Sequence, residues 1–565
     1  MFNNNRSNVA AIPTRTTITA ADPGTQAAAV ALPTVEAVHP VRVAAVVAVG
    51  AVNLSFMKSI HLFALLLLTT VTVVAQNEQD AMRYSVIGTN GGGRFTAMGG
   101  AFGALGADLS CGAYNPAGLA LFRKGEINFS ASLKTNNTNI RALNSNNNEG
   151  NSSLTFNQFG FAAAWKPDDG SDKRNVLAFT NTQILNLNQN FGYSGYSNGN
   201  TMAKDMTAIA NSKDLKSFNG FYEGLGYGTF LLEYDSASNR FFSFLDPKRV
   251  IRQTRTVENA GRVNDINISF AHTYKDVFYF GASLGIPVVS YTSTTTHSEA
   301  DDRDSMRVTF TSQNTYTSTY VDGLPVAYSG LLGFDNFTYK EYFRTSGSGV
   351  NLKLGMIIRP SELFRFGIYY HSPTYYKLND TYYNSMNVTF DAKRKEPISQ
   401  AYPVTDGGGY FTYKINTPAR LGLSIGFIFG QRGCIGIDYE AVDYKKAFLK
   451  SGNASDFFDA NNAIDNDFRM GQNIKIGAEL NFKPMMVRIG YNMIGSVYGG
   501  VFSGNQVRNC GSLGVGFRSK AGFYLDLTVI EQFYRYDYVP YRALPVVMTV
   551  NTVNSSVSAT VGFKF

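Results

Sequence analysis

Cysteine is nearly absent from this chain: Cys111, Cys434 and Cys510 are the only three in 565 residues. Three cannot build a disulfide framework, and one is left over. Cys434 and Cys510 fall near strand starts and read as small filler residues, and Cys111 lies too far past the hydrophobic segment to be a lipoprotein cysteine. Histidine is as sparse. Beyond residue 75 only His272, His297 and His371 remain, each isolated, which excludes a zinc cluster and a Ser/His hydrolase. Charged residues make up only 16%, and the formal +8 is dispersed without a Lys/Arg block, which excludes nucleic-acid binding. Runs of about 20 apolar residues do not recur along the chain, so a bundle of membrane helices is excluded too. No enzyme activity and no cofactor or metal is expected.

One hydrophobic run stands near the start. Met57-Lys58 precedes an apolar stretch from Leu62 to Val74, and Val73 and Ala75 supply the small residues of a signal-peptidase site before Gln76. Residues 57–75 therefore read as a signal peptide, and residues 1–56 as a mis-called extension. Val43–Val52 is too short to span a bilayer.

What the chain does have is alternation. The last strand places Val557, Ala559, Val561, Phe563 and Phe565 on one face and Ser558, Thr560, Gly562 and Lys564 on the other. Such a strand can turn one side to lipid and the other to a polar interior. A barrel hides its hydrophobicity in every second position, which fits a mean hydropathy of −0.12. The 42 Phe and 33 Tyr suit interfacial girdles. The pattern predicts strands at 126–134, 155–165, 175–188, 263–273, 278–292, 340–359, 364–373, 410–429, 433–443, 472–482, 485–493, 510–519, 522–533 and 555–565. Tight links at 166–174, 274–277, 360–363, 430–432, 483–484 and 520–521 alternate with long links at 135–154, 189–262, 293–339, 374–409, 444–471, 494–509 and 534–554. The expectation is an all-β, 14-stranded antiparallel transmembrane barrel spanning 126–565.

Ahead of the strands, residues 76–125 are rich in small residues. Gly91-Gly92-Gly93 and Met98-Gly99-Gly100-Ala101-Phe102-Gly103 lead to Asn115-Pro116-Ala117. No strand precedes these glycines and no Gly-Lys-Ser/Thr follows, so they are not a phosphate loop. Compact backbone that must fit a confined space is the plainer reading. The Met-Gly-Gly-Ala-Phe-Gly run and the Asn-Pro-Ala tripeptide resemble the amino-terminal hatch of the FadL/OmpP1/TodX outer-membrane transport proteins, particularly their Bacteroidetes members. Thr417-Pro418-Ala419-Arg420, Gly436-Ile437-Asp438-Tyr439-Glu440 and Ile489-Gly490-Tyr491 extend the resemblance through roughly 84–565. It implies a hatch, carried by 76–125, that plugs the barrel. The terminal Phe565 resembles the signature read by the barrel-assembly machinery of Gram-negative bacteria, which implies an outer-membrane location.

Asp438, Glu440, Glu479, Asp526, Arg365, Lys353, Lys475, Arg488 and Arg518 fall on the lumen phase. Wall or plug-anchoring chemistry is the plain reading of such mixed charge. Arg365, Arg488 and Arg518 are the candidate carboxylate contacts, because a guanidinium matches a carboxylate bidentately. Apolar residues in the long links (Phe221, Leu225 and Tyr227 in one, Leu331, Leu332 and Phe334 in another) either pack the loops together or form a hydrophobic ligand groove. In the third strand Asn181 and Gln183 interrupt an apolar outward phase set by Leu177, Phe179, Leu185 and Leu187. Polar side chains facing lipid are costly, so a bulge or kink is expected there. A slip in the assigned register is the plain reading of that break; the resemblance instead makes it the place of a lateral opening. It implies uptake of small hydrophobic molecules, fatty acids or aromatic hydrocarbons, by a monomer whose partners are the ligand, outer-membrane lipid and the assembly machinery, with no nucleic acid. A protein-binding barrel serving type IX secretion and a general porin are the alternatives.

Overall fold

A computed structural model describes residues 78–565, apart from 168–172, 237, 247, 304, 307, 312–314, 319–332, 391–396, 404–407, 500–505, 542–543 and 545–546. The proposed signal peptide and extension, and Leu331 and Leu332, lie outside the described residues.

Fourteen antiparallel strands close into one barrel. They are β1 Glu126–Ala142, β2 Ser145–Trp165, β3 Arg174–Asn186, β4 Val250–Tyr274, β5 Phe278–Ala300, β6 Phe334–Ile358 and β7 Phe364–His371, then β8 Arg420–Ile428, β9 Gly433–Asp443, β10 Met470–Phe482, β11 Met485–Ile494, β12 Arg508–Arg518, β13 Phe523–Tyr538 and β14 Met548–Lys564. Each pairs with its neighbour, and β14 returns to β1 in a ladder from Glu126↔Lys564 to Arg141↔Thr549. Closure leaves no free edge strand, as a lipid environment demands. The predicted phase holds where it was clearest. On β8, Leu421 and Leu423 are 47% and 52% exposed while Gly422, Ser424 and Gly426 are buried.

The strands run well past the predicted ends at the loop side of the barrel. The 135–154 link is not a loop: β1 and β2 continue to a two-residue turn at Leu143-Asn144, both with positive φ (48° and 62°), the geometry of a tight hairpin. The 189–262 link likewise holds an upper arm of β3, Gln189–Asn198, paired with the long β4. About 10 residues cross a bilayer, so a 25-residue β4 projects far beyond it. These projections are Asn-, Ser- and Thr-rich, and without an outward apolar phase the period-two signal fades. β7 and β8 are interrupted at Pro373 and Pro418, which lack the N–H a ladder needs, and both resume as Tyr375–Phe390 and Gly409–Asn416.

Inside the tight-turn half of the barrel lies residues 78–125: helix α1 Glu78–Ser85, a short turn of helix at Gly93–Ala97, and 3-10 turns at Leu109–Gly112 and Pro116–Leu121. The loop half is filled by a second, apolar core. Inward residues of the projecting strands (Phe191, Phe337, Met386, Phe390) meet helix α2 Met202–Ala210 and the short helix Glu223–Gly228 there.

Candidate functional site

The inner segment lies backbone-to-backbone on the wall, and inward glycines make that approach possible. A Cβ on Gly477 would stand 2.2 Å from the Met98 carbonyl oxygen, and one on Gly490 would stand 2.1 Å from the Gly99 nitrogen. At Gly281 it would meet the Pro116 carbonyl carbon at 2.2 Å. Only a residue without a side chain fits such contacts. The Asn115-Pro116-Ala117 turn is held from within: Asn115 Oδ1 accepts from the Ala117 amide at 3.1 Å, and its Nδ2 donates to the Gly103 carbonyl at 2.6 Å. Pro116 opens the 3-10 turn, where a missing N–H costs nothing. Wall side chains satisfy the segment's remaining backbone. Gly103 N donates to Asp438 Oδ2 at 2.9 Å, Gly93 N to Thr560 Oγ1 at 2.7 Å, and Ser512 Oγ to the Ala97 carbonyl at 3.0 Å.

A buried chain of charge ties the segment down. Arg94 Nε meets Glu479 Oε2 at 2.9 Å, Arg488 Nε meets the same oxygen at 2.6 Å, and Arg488 Nη1 meets Asp526 Oδ1 at 2.6 Å. Arg488 is thus occupied by two wall carboxylates and does not offer its charge to a ligand. Alternation alone could not show this, because Glu479 faces it from the neighbouring β10 and Asp526 from β13, two strands away. Arg365 donates to the Leu105 carbonyl at 2.8 Å, and Arg518 lies over the Tyr524 ring, 5.2 Å from its centroid. Neither is placed with Arg488 in a common site. Glu479→Gln removes the one carboxylate between two guanidinia and leaves Arg94 buried without a counter-charge. The expected cost is about 3 kcal/mol, read as a lower temperature for the heat-modifiable gel shift. An unchanged transition would show that charge does not hold the segment.

The wall itself has a seam between β2 and β3. Their ladder runs from Trp165↔Asn175 up to Gln158↔Thr182 and stops. Above that point β2 pairs only with β1, and β3 only with β4. Two opposed bulges mark the place: the β1–β2 register skips Asn157, and the β3–β4 register skips Ile184. Bulges bend a strand and end its pairing. Side chains bridge the seam higher up, Asn188 Nδ2 to Ser153 Oγ at 3.0 Å and Ser145 to the Ser194 carbonyl. Between the last ladder pair and the first side-chain bridge, Asn188 to Ser153, lie about five residues, or roughly 15 Å at the rise of a strand. This stretch lies beside outward Leu133 and Leu154, the latter 80% exposed, in the upper part of the apolar band. The released carbonyl of Ile184 is taken by the inner segment, whose Gly88 amide donates to it at 2.9 Å.

Asn181 and Gln183 flank the point where pairing fails, but they do not share a face. Asn181 is half-buried, placed in the ladder between Phe159 and Ile266, and its Oδ1 has no partner among the described residues. Gln183 is 2% exposed and accepts from Lys134 on the inner side. The bulge at Ile184 breaks the alternation that put both residues outward.

Among the described residues, Phe221, Leu225, Tyr227 and Phe334 do not form an open groove. Leu225 and Phe334 are each 1% exposed in the apolar core of the loop half. Phe221 packs against Tyr382 and Tyr402, with centroids at 5.1 and 4.6 Å, and Tyr227 packs edge-on against Phe218 and Phe241. Loop-to-loop packing accounts for them. Burial and the Asp205 carboxylate, which accepts from Tyr222 at 2.8 Å, push the Tyr222 hydroxyl well above its ordinary range, so it stays a donor inside this core.

Residues 68–199 match an uncharacterised protein family, UPF0164. No curated protein matches the chain in sequence. Among solved structures, a Pseudomonas aeruginosa FadL homologue is similar at 12% identity and a TM-score of 0.49, over 85% of this chain and 98% of that one. The Pseudomonas putida toluene transporter TodX is similar at 12% identity and a TM-score of 0.44, over 84% and 97%. The Ralstonia pickettii toluene transporter TbuX is similar at 15% identity and a TM-score of 0.43, over 84% and 99%.

Proposed function

We propose that the chain is an outer-membrane channel that takes up small hydrophobic molecules and releases them sideways into lipid. The observation that carries this reading is the seam, where the β2–β3 ladder ends at Gln158↔Thr182 beside outward Leu133 and Leu154 and the Gly88 amide of the inner segment bonds the Ile184 carbonyl. A molecule soluble in lipid gains by leaving through such an opening, whereas a polar solute would meet hydrocarbon. Residues 76–125 act as the hatch, with Asn115-Pro116-Ala117 as its fixed turn. The Gly88–Ile184 hydrogen bond couples hatch to opening, since moving the segment frees the bulge it pins. The sequence resemblance to FadL-type transporters supports the same reading and points to fatty acids or aromatic hydrocarbons. Export by the 57–75 signal, a mature start at Gln76, barrel-machinery assembly and a monomeric state belong to this proposal.

Native mass spectrometry of the detergent-purified protein tests it. A co-purified small hydrophobic molecule is the expected result. A co-purified protein in place of it would favour a secretion partner instead, and an unliganded, freely conducting barrel would favour a porin.

A further inference from the structure

On the outer face of the wall, lysine stands against lysine. Lys377, in the upper arm of β7 (Tyr375–Phe390), lies directly opposite Lys414 in the upper arm of β8 (Gly409–Asn416). Lys414 in turn lies opposite Lys450, which ends a short strand, Phe448–Lys450, paired with that arm. All three side chains are exposed. No ion pair among the described residues includes any of them. Like charges directly across a ladder repel, so the row is a local cost to the sheet. Nearby carboxylates do not offset it: Asp380 is buried on the inner face of the same arm, and Asp443, on the outward phase of β9, forms no ion pair with the lysines. Two more exposed lysines, Lys445 and Lys446, lie on the 3-10 turn just before Phe448.

The height of the row on the wall says what it meets. Across four neighbouring strands it reads Ser348, Lys377, Lys414 and Lys450. One outward step towards the tight-turn side, the same strands read Val350, Tyr375, Asn416 and Phe448, of which Val350, Tyr375 and Phe448 are exposed. The outward phase of β6 then stays apolar through Leu352 and Leu354. The lysines are therefore the first outward residues past the apolar band on its loop side, about 7 Å along the strand from the aromatic level of Tyr375 and Phe448. Long loops face the cell exterior, so this is the head-group level of the outer leaflet. Phosphates carry the charge at such a level, and lysine binds phosphate as a point charge. We propose that the Lys377–Lys414–Lys450 row binds the phosphate groups of an outer-leaflet glycolipid of the lipid A type, with its acyl chains against the apolar band beneath. The bound phosphate supplies the counter-charge that the sheet lacks. This rests on the outer-membrane reading above and adds a lipid partner on the outside of the wall, apart from the ligand path.

The test is a native mass-spectrometric titration of the detergent-purified protein with diphosphoryl lipid A, its dephosphorylated form and phosphatidylglycerol. One variant carries Lys377→Gln, Lys414→Gln and Lys450→Gln together. A charge-matched control carries Lys124→Gln, Lys166→Gln and Lys520→Gln, at exposed lysines on the tight-turn side. Charge-assisted binding predicts that the first variant weakens diphosphoryl lipid A binding about tenfold or more, that the control leaves it unchanged, and that arginine at the three row positions retains it. The dephosphorylated form should bind weakly and equally to every variant. Equal loss in the control, or no loss in the row variant, would overturn the assignment. Phosphatidylglycerol bound as tightly as lipid A, with the same dependence on the row, would overturn it in favour of a general anionic-lipid surface. Without added lipid, the row variant should keep or raise the temperature of the heat-modifiable gel shift, because it removes repulsion. A lower temperature would show instead that the lysines brace the wall. Membrane fractionation keeps the two readings apart: a chain absent from the outer membrane would remove the location beneath the proposal, whatever lipid it binds in detergent.

Discussion

Locking the seam is expected to stop uptake without unfolding the barrel. Ser153→Cys and Asn188→Cys stand on β2 and just beyond β3, at side chains that already meet at 3.0 Å across the gap. A short bifunctional thiol reagent would tie the two strands where the ladder is missing. The native cysteines do not compete, because Cys111, Cys434 and Cys510 are all buried, and burial pushes the Cys111 thiol far above its ordinary value. Gating by a wall opening predicts that the cross-linked protein takes up dodecanoate at least about tenfold more slowly, and that reduction restores the rate if the linker is cleavable. Each single-cysteine variant treated with the same reagent should transport normally. Full uptake by the locked protein would mean that ligand leaves by another route.

Removing residues 78–125 should convert the barrel into an open pore. The wall is closed independently of the segment by the β1–β14 ladder, so the ring does not need the hatch to complete it. What the segment contributes is occupancy of the lumen, fitted onto wall glycines such as Gly477 and Gly490. Barrels with somewhat more strands and no such filling carry water, so single-channel conductance in planar bilayers should rise by about tenfold or more. Deletion also leaves Glu479 and Asp438 without Arg94 and the Gly103 amide, so a lower unfolding temperature should accompany it. A folded deletion protein that conducts no better than the intact chain would place the barrier elsewhere, in the apolar core of the loop half.

The strand pattern was legible because lipid enforces it. Where Leu421, Leu423 and Ile425 must face hydrocarbon, one residue in two is apolar, and fourteen such segments could be read in order. Above the bilayer that pressure ends, and Asn136 to Asn148 can form a hairpin with no outward apolar phase to announce it. Phe337 and Met386 therefore read as loop residues, although they point inward from strands and build a core. The interruption at Asn181 and Gln183 was visible as a break in phase. Its cause was not, because a bulge is one extra residue and the partner bulge at Asn157 lies in a stretch that reads as ordinary strand. The inward glycines carried a signal of their own. Gly281, Gly477 and Gly490 sit on the polar phase, where a small residue marks close backbone approach, and only the inner segment shows what approaches.

A channel of this kind should pass hydrophobic molecules, and not polar ones, across the outer membrane. Cells whose own fatty-acid uptake barrel is deleted, carrying this chain or an empty vector, can be given radiolabelled dodecanoate and radiolabelled sucrose in parallel. Dodecanoate should accumulate faster with the chain present, and sucrose entry should be no greater than in the vector control. Dodecanoate accumulation equal to the control, or a matching rise in sucrose entry, would contradict the uptake reading.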